Sequence, residues 1–230
     1  MISTMTLRLY RHRTRWQCLL SALSGSIVDH KDGLEHILSL YAERDKFYHG
    51  YNHIAQCLVE LKYFKDVPKI LEIEFALWMH DVVYDPESKH NELNSANMAV
   101  DMLRDLYTDE SVMRRVWALI MCTKDHCPGN NLNKQIMCDI DLSILGHKEL
   151  YPMYAKNIRK EFSMFSESDY IIGRAKFLRG LLSKPKIYHT DVFMKKYEIG
   201  ARVNILDEVT KLIKYTRISK RQIYNEIKGI

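Results

Sequence analysis

Apolar residues recur at three- and four-residue intervals along almost the whole chain, and no stretch alternates apolar with polar long enough to form a sheet strand. The pattern predicts helices near 7–24, 32–44, 51–65, 69–82, 91–107, 109–123, 134–145, 148–164, 169–183 and 191–216. Local signals sharpen several ends. Pro68 suits a first helical turn, Thr108 and Thr190 are N-cap types, and Gly146 fits the position just past a helix ending at Leu145. The fold expected is all-α. Polar breaks fall at 84–90 and 125–133, and loops held by rigid helices are where sites are commonly completed.

Composition narrows the class. With 230 residues, 47% of them hydrophobic, the chain can bury one substantial core. No Pro-, Gly- or Ser-rich linker divides it, so a single-domain helical bundle over 15–217 is expected, between a basic extension at 1–14 and a basic tail at 218–230. The net charge of +5 gathers at the ends: Arg8, Arg11, Arg13 and Arg15 precede the first acidic residue, Asp29, and Lys211, Lys214, Arg217, Lys220, Arg221 and Lys228 crowd the other terminus. Such runs are ordinarily solvated helix faces. They lack the aromatic interleaving of a nucleic-acid module, which argues against nucleic acid as a partner. Charges interrupt every apolar run well before the roughly 20 residues a bilayer needs, so no membrane partner is expected. Five cysteines without CxxC spacing point to a reducing compartment, the cytoplasm. A mitochondrial location is the alternative, from the Arg-rich, acid-free opening, although Trp16 and Leu19 already read as the first helix.

The chemistry concentrates at His80-Asp81, which closes the apolar run from Ile73 to Met79. Imidazole nitrogen and carboxylate oxygen side by side suit a divalent cation, and neighbours on a helix point about 100° apart, close enough to converge on one ion. Further ligands must come from elsewhere: His49 or His53 on the preceding helix, and Asp139 or Asp141 downstream. Rival chemistries find no motif. There is no GxxxxGK[ST] or GxGxxG phosphate loop, no GxSxG elbow, and Cys122 with Cys127 does not make a zinc knuckle.

The order His…His-Asp…Asp resembles the HD superfamily of metal-dependent phosphohydrolases, whose signature ligands are a histidine, a His-Asp pair and a distal aspartate. The likeness extends over roughly residues 15 to 210, through Tyr48-His49 with His53-Ile54, His80 to Pro86, Asn91 to Ala96, Thr123 to His126, Asp139 to Gly146 and Ile158 to Phe162. It is similar to a subfamily of predicted HD phosphohydrolases, with Gly50 where asparagine is expected. The resemblance implies His53, His80, Asp81 and Asp141 as metal ligands, with Mn, Fe, Ni, Zn or Mg all compatible with such mixed ligation. Asp139 then becomes a group that orients a ligand, since residues two apart on a helix diverge by about 200°.

In this reading Asp81 is the pivotal carboxylate, able to bind one ion or bridge two. Glu92 would orient or deprotonate the water, and His126 would bind a second ion or protonate the leaving oxygen. Lys124, Arg159 and Arg174 are candidate phosphate contacts, with His49 and Tyr84 beside the ligands as further substrate contacts. Arg202 and Asn204 are expected to tie the last helix to the core. The expected activity is hydrolysis of a phosphomonoester or phosphoanhydride in a nucleotide or small phosphorylated metabolite. The alternative is a non-catalytic HD scaffold that binds a nucleotide or protein partner around a structural metal. Homo-oligomerisation stays open.

Overall fold

The computed structural model describes residues 4–26, 31–42 and 47–215. Among them the chain is all-α, with no strand. The helices are α1 (Thr4–Ser24), α2 (Lys31–Ala42), α3 (Tyr51–Glu60), α4 (Ile70–Met79), α5 (Asn91–Asp105), α6 (Glu110–Met121), α7 (Leu132–Asp141), α8 (Tyr151–Glu161), α9 (Glu167–Ser183) and α10 (Asp191–Tyr215). Short 3-10 segments, Leu61–Phe64 and Leu142–Gly146, follow α3 and α7. None of the described helices is long and apolar enough to cross a membrane. The expected N-terminal extension is helical from Thr4 as part of α1, and the tail expected at 218–230 lies outside the described residues. The helices divide into two compact units, the first ending at Asp141 and the second beginning at Leu142.

In the first unit α4 is the central rod. Every residue from Glu72 to Met79 is buried, because α1, α3, α5, α6 and α7 all pack on it. A helix apolar all round needs such enclosure. Trp16 of α1 stacks on Phe75 at 5.7 Å between ring centroids and meets Trp78 edge-on at 5.5 Å. Two buried glutamates interrupt the apolar surface, and buried carboxylates are costly unless paired. Arg115 of α6 forks onto Glu72 with two 2.8 Å hydrogen bonds, and Arg15 of α1 donates to Glu74 at 2.5 Å.

Helix ends depart from the sequence expectation in informative ways. Asp109, not Thr108, caps α6 by accepting from the Ser111 amide at 2.7 Å. The Thr108 amide instead bonds to the Leu103 carbonyl at 3.0 Å, closing the α5–α6 turn and burying its side chain. Pro68 stands before α4 rather than in its first turn, because Lys69 takes a left-handed conformation (φ 62°) and the helix starts at Ile70. Thr190 does cap α10, its hydroxyl accepting from the Phe193 amide at 3.4 Å.

The second unit is organised around α10. Arg174 of α9 is buried and donates to both Glu208 oxygens at 2.9 and 3.2 Å and to the Tyr154 hydroxyl at 3.1 Å, while Tyr151 donates to Glu208 at 2.5 Å. Arg202 reaches the carbonyls of Leu182, Lys184 and Pro185, and Asn204 donates to the Leu145 carbonyl at 2.8 Å. These contacts fasten α10 to its neighbours, the role expected of Arg202 and Asn204. Gly146 is a glycine for space and not for a left-handed cap: a Cβ there would lie 2.5 Å from Tyr197 Cβ on α10.

Gly146→Ala should therefore destabilise by about 1–3 kcal/mol through overpacking. Gly180→Ala, in the body of α9 with nothing within 4 Å of the new methyl, should stabilise by about 0.5–1 kcal/mol. Urea denaturation of the two variants checks the contrast in sign.

Candidate metal centre

Four side chains from three helices of the first unit converge. His53 lies in the first turn of α3, where the Tyr48–Gly50 turn starts the helix and the His53 amide bonds to the Gly50 carbonyl at 3.1 Å. His80 follows the last residue of α4, and its Nδ1 donates to the Leu77 carbonyl at 3.0 Å, one of the acceptors that a helix end leaves unpaired. A carbonyl can only accept, so neutral His80 carries its proton on Nδ1 and turns the Nε2 lone pair inward. Asp81 is the next residue, and Asp141 ends α7.

The donor atoms crowd together. His53 Nε2 is 3.2 Å from His80 Nε2 and 3.1 Å from Asp141 Oδ1, and His80 Nε2 is 3.4 Å from the same oxygen. Asp81 Oδ2 lies 3.2 Å from His80 Nε2 and 3.6 Å from His53 Nε2. Ligand atoms about 2.1 Å from a shared ion sit roughly 3.0 Å apart at octahedral angles and roughly 3.4 Å apart at tetrahedral ones. The spacing of His53, His80 and Asp141 fits a single cation, and these three form a mutually close group able to hold one, whereas Asp81, also expected as a ligand, approaches the two imidazoles but stands outside that group. Both imidazoles are buried, whereas the side chains of Asp81, Asp141 and His126 keep 14–15% exposure. The floor is imidazole and the rim is reachable by water.

Electrostatics follows from this crowding. Burial by itself would raise the Asp81 and Asp141 pKa values, but facing histidines, His80 foremost, hold both well below the usual carboxylate range. Burial would lower His80, yet the charges of Asp81 and Asp141 push it well above its ordinary value. Charge on His80 and charge on the two carboxylates thus favour one another.

Other residues frame the group. His126, in the turn after α6 with φ 51°, places Nε2 2.9 Å from Asp141 Oδ2, the oxygen other than the one facing His53 and His80. His49 stacks on Tyr84 at 4.3 Å, and Tyr48 packs against both His49 and His53. The loop after Asp81 is clamped: Ser95 Oγ accepts from the Val83 amide and donates to its carbonyl, and the Asn91 amide side chain does the same for Asp85. Cys57, one turn after His53, lies 3.8 Å from its ring nitrogens, and burial pushes that thiol's pKa up. Sequence alone assigned these clamps and this thiol no role, although Asn91 and Ser95 lie in a segment that carries the resemblance and Cys57 stands i+4 from His53.

The remaining expected site residues are placed as follows. Asp139 is fully buried and Asp141, two residues on, is the aspartate in the close group. Glu92 is half-buried in the first turn of α5. Lys124 is exposed, its Nζ 3.3 Å from the Lys89 carbonyl. Arg159 and Arg174 belong to the second unit. Arg159 donates to the Phe162 carbonyl and lies over the Tyr170 ring, and Arg174 is consumed by its buried ion pair with Glu208 rather than presented to a substrate. Comparison with known proteins finds no matching family model, no matching curated protein and no matching solved structure.

Two outcomes are expected. Asp141→Ala should abolish uptake of divalent transition metal, whereas Asp139→Asn should keep most of it, measured by elemental analysis of folded protein. The pH dependence of metal stabilisation has a definite sign. His80's raised pKa contributes stability that is complete below about pH 6.5 and fades as pH rises through the folded value, while the depressed aspartates contribute above about pH 4 and fade in acid. Protons and metal compete for the same nitrogen. The rise in melting temperature on adding Mn²⁺ or Zn²⁺ to chelator-treated protein should thus grow from pH 6 to 8.5, approaching the effect of about 2.7 kcal/mol expected at a hundredfold excess over Kd. A flat or shrinking increment would show that this group does not take the ion.

Proposed function

We propose that the chain is a metal-dependent phosphohydrolase of the HD type, acting on a phosphomonoester or phosphoanhydride of a nucleotide or small phosphorylated metabolite. The observation that carries the reading is the close group of His53, His80 and Asp141, with Asp81 beside the two imidazoles and both carboxylates keeping some exposure. The mixture of two imidazoles and two carboxylates suits Mn, Fe, Ni, Zn or Mg. Bound there, a divalent ion supplies an ionisable water and Lewis acidity toward a phosphoryl oxygen.

The chain's own groups supply the rest. His80 is locked by the Leu77 carbonyl in the tautomer that ligates. His126 bonds to the outer oxygen of Asp141, orienting that carboxylate and standing on the solvent side where a leaving oxygen needs a proton. Lys124, on the same loop, is the cation for a phosphate. His49 stacked on Tyr84 forms a wall beside Asp81, held by the Asn91 and Ser95 clamps. The exposed rim also supports the enzyme over a scaffold with a structural metal, since structural sites close their coordination and catalytic ones keep a position open.

A phosphate-release screen over nucleotides and sugar phosphates, with each metal in turn, tests the reading. Activity should appear with wild type and vanish with His80→Ala. Lys124→Ala should lower kcat/KM roughly tenfold or more at unchanged metal content, the scale of one charge-assisted phosphate contact. A metal-loaded wild type inert toward every phosphate ester would favour the scaffold.

A further inference from the structure

Helix α10 is apolar on two opposite faces. One face, Phe193, Tyr197, Ala201, Ile205 and Val209, is buried in its own unit. Across the helix stand Val192, Ile199, Val203 and Leu206, which are 41%, 81%, 62% and 59% exposed. Val192, Ile199, Leu206 and the half-buried Ile213 are each seven residues apart, a spacing that drifts only about 20° around a helix per step and draws one continuous stripe. Four exposed aliphatic side chains in register along a single helix are the seam of a helix pair, and solitary surface leucines do not repeat this way.

We infer that α10 pairs with α10 of a second copy of this chain, antiparallel, about a two-fold axis between Arg202 and Val203. The stripe meets itself in that register; a parallel in-register pair would match it as well, and charge separates the two. Ile199 meets the partner's Leu206, Val192 meets the partner's Ile213, and Val203 lies beside the axis against its own symmetry mate. Isologous pairing of this kind is what two-fold symmetry imposes. Charge agrees. Lys196 and Asp207 lie on the same side of the stripe, and the two-fold brings Lys196 level with the partner's Asp207 to within two residues, about 3 Å along the axis, where it would share a carboxylate that Lys211 of the same helix already meets at 2.6 Å. Arg202, the cation nearest the axis, is drawn away toward Glu198 and the carbonyls of Leu182, Lys184 and Pro185. The surface is modest. Four aliphatic side chains with flanking lysine stems belong to the low end of specific interfaces, near 1,200 Å² in total, so the dimer dissociates on dilution. The inference is independent of the metal chemistry.

Sedimentation velocity over a concentration series tests it. Full-length protein should be a concentration-dependent dimer, and Ile199→Lys with Leu206→Lys should be a monomer of unchanged helicity and melting temperature. Lys196→Asp should weaken the dimer and adding Asp207→Lys should restore it. The register is read by cross-linking in a background with Cys18→Ser and Cys127→Ser. Val203→Cys should form an intermolecular disulfide, whereas Val192→Cys, 21 residues and about 31 Å from its mate, should not. A monomeric wild type overturns the inference, as does a dimer that survives the double lysine change. Equal cross-linking at 192 and 203 overturns it in favour of parallel pairing. A monomer destabilised by the lysines overturns it in favour of a stripe covered by the chain's own residues.

Discussion

Two buried imidazoles 3.2 Å apart, each with a carboxylate oxygen of Asp81 and of Asp141 at 3.1 to 3.6 Å, are the constraint around which the first unit is built. The carboxylates bring two negative charges into a largely enclosed space, and the histidines facing them, His80 foremost, hold both pKa values down against the cost of burial. Each donor is also fixed from behind. His80 is tied to the end of α4, Asp141 ends α7, and His53 sits where the turn at Gly50 starts α3. Because α4 is enclosed by five helices, neither His80 nor Asp81 can shift without moving the core. A rigid rod thus delivers His80 and Asp81, and flanking helices bring His53 and Asp141 to it.

The same economy of charge appears twice more. Glu72 and Glu74 are buried on α4 and each is met by an arginine from another helix. In the second unit Glu208 is enclosed by Arg174 and Tyr151. Glu72 and Glu74 are thus neutralised by arginine whereas Asp81 and Asp141 face histidine, and only a histidine partner can give up its proton to make room for a metal. That difference in partner separates a structural acid from a candidate ligand better than burial does.

The helices were legible because nearly every one has an apolar stripe at helical spacing, and the contiguous His80-Asp81 pair marked the centre of the cluster. That only one of Asp139 and Asp141 can face the cluster was a matter of angle, the choice of Asp141 followed from the resemblance, and the close group contains Asp141. What the chain hides are interactions between distant positions. Nothing near Arg174 announces Glu208, 34 residues on, so a buried tie reads as a free cation. Thr108 and Asp109 are both good caps, and only the closure of the α5–α6 turn decides between them. Gly146 looks like a helix terminator until Tyr197 is brought against it. The second apolar face of α10 is hidden for the opposite reason: a helix apolar on two sides shows weak amphipathicity, and periodicity alone cannot tell which side is inside.

Asp141 is the last residue of the first unit, and 60 residues separate it from Asp81. On a ribosome adding roughly 5–20 residues per second, the His-Asp pair precedes its distal partner by several seconds. Throughout that interval α5, α6 and α7, which enclose α4, are themselves still being made, and the second carboxylate does not yet exist. The last residue of the unit therefore completes the donor group at the same moment as the packing that fixes it, and the cluster is a product of folding, not its seed.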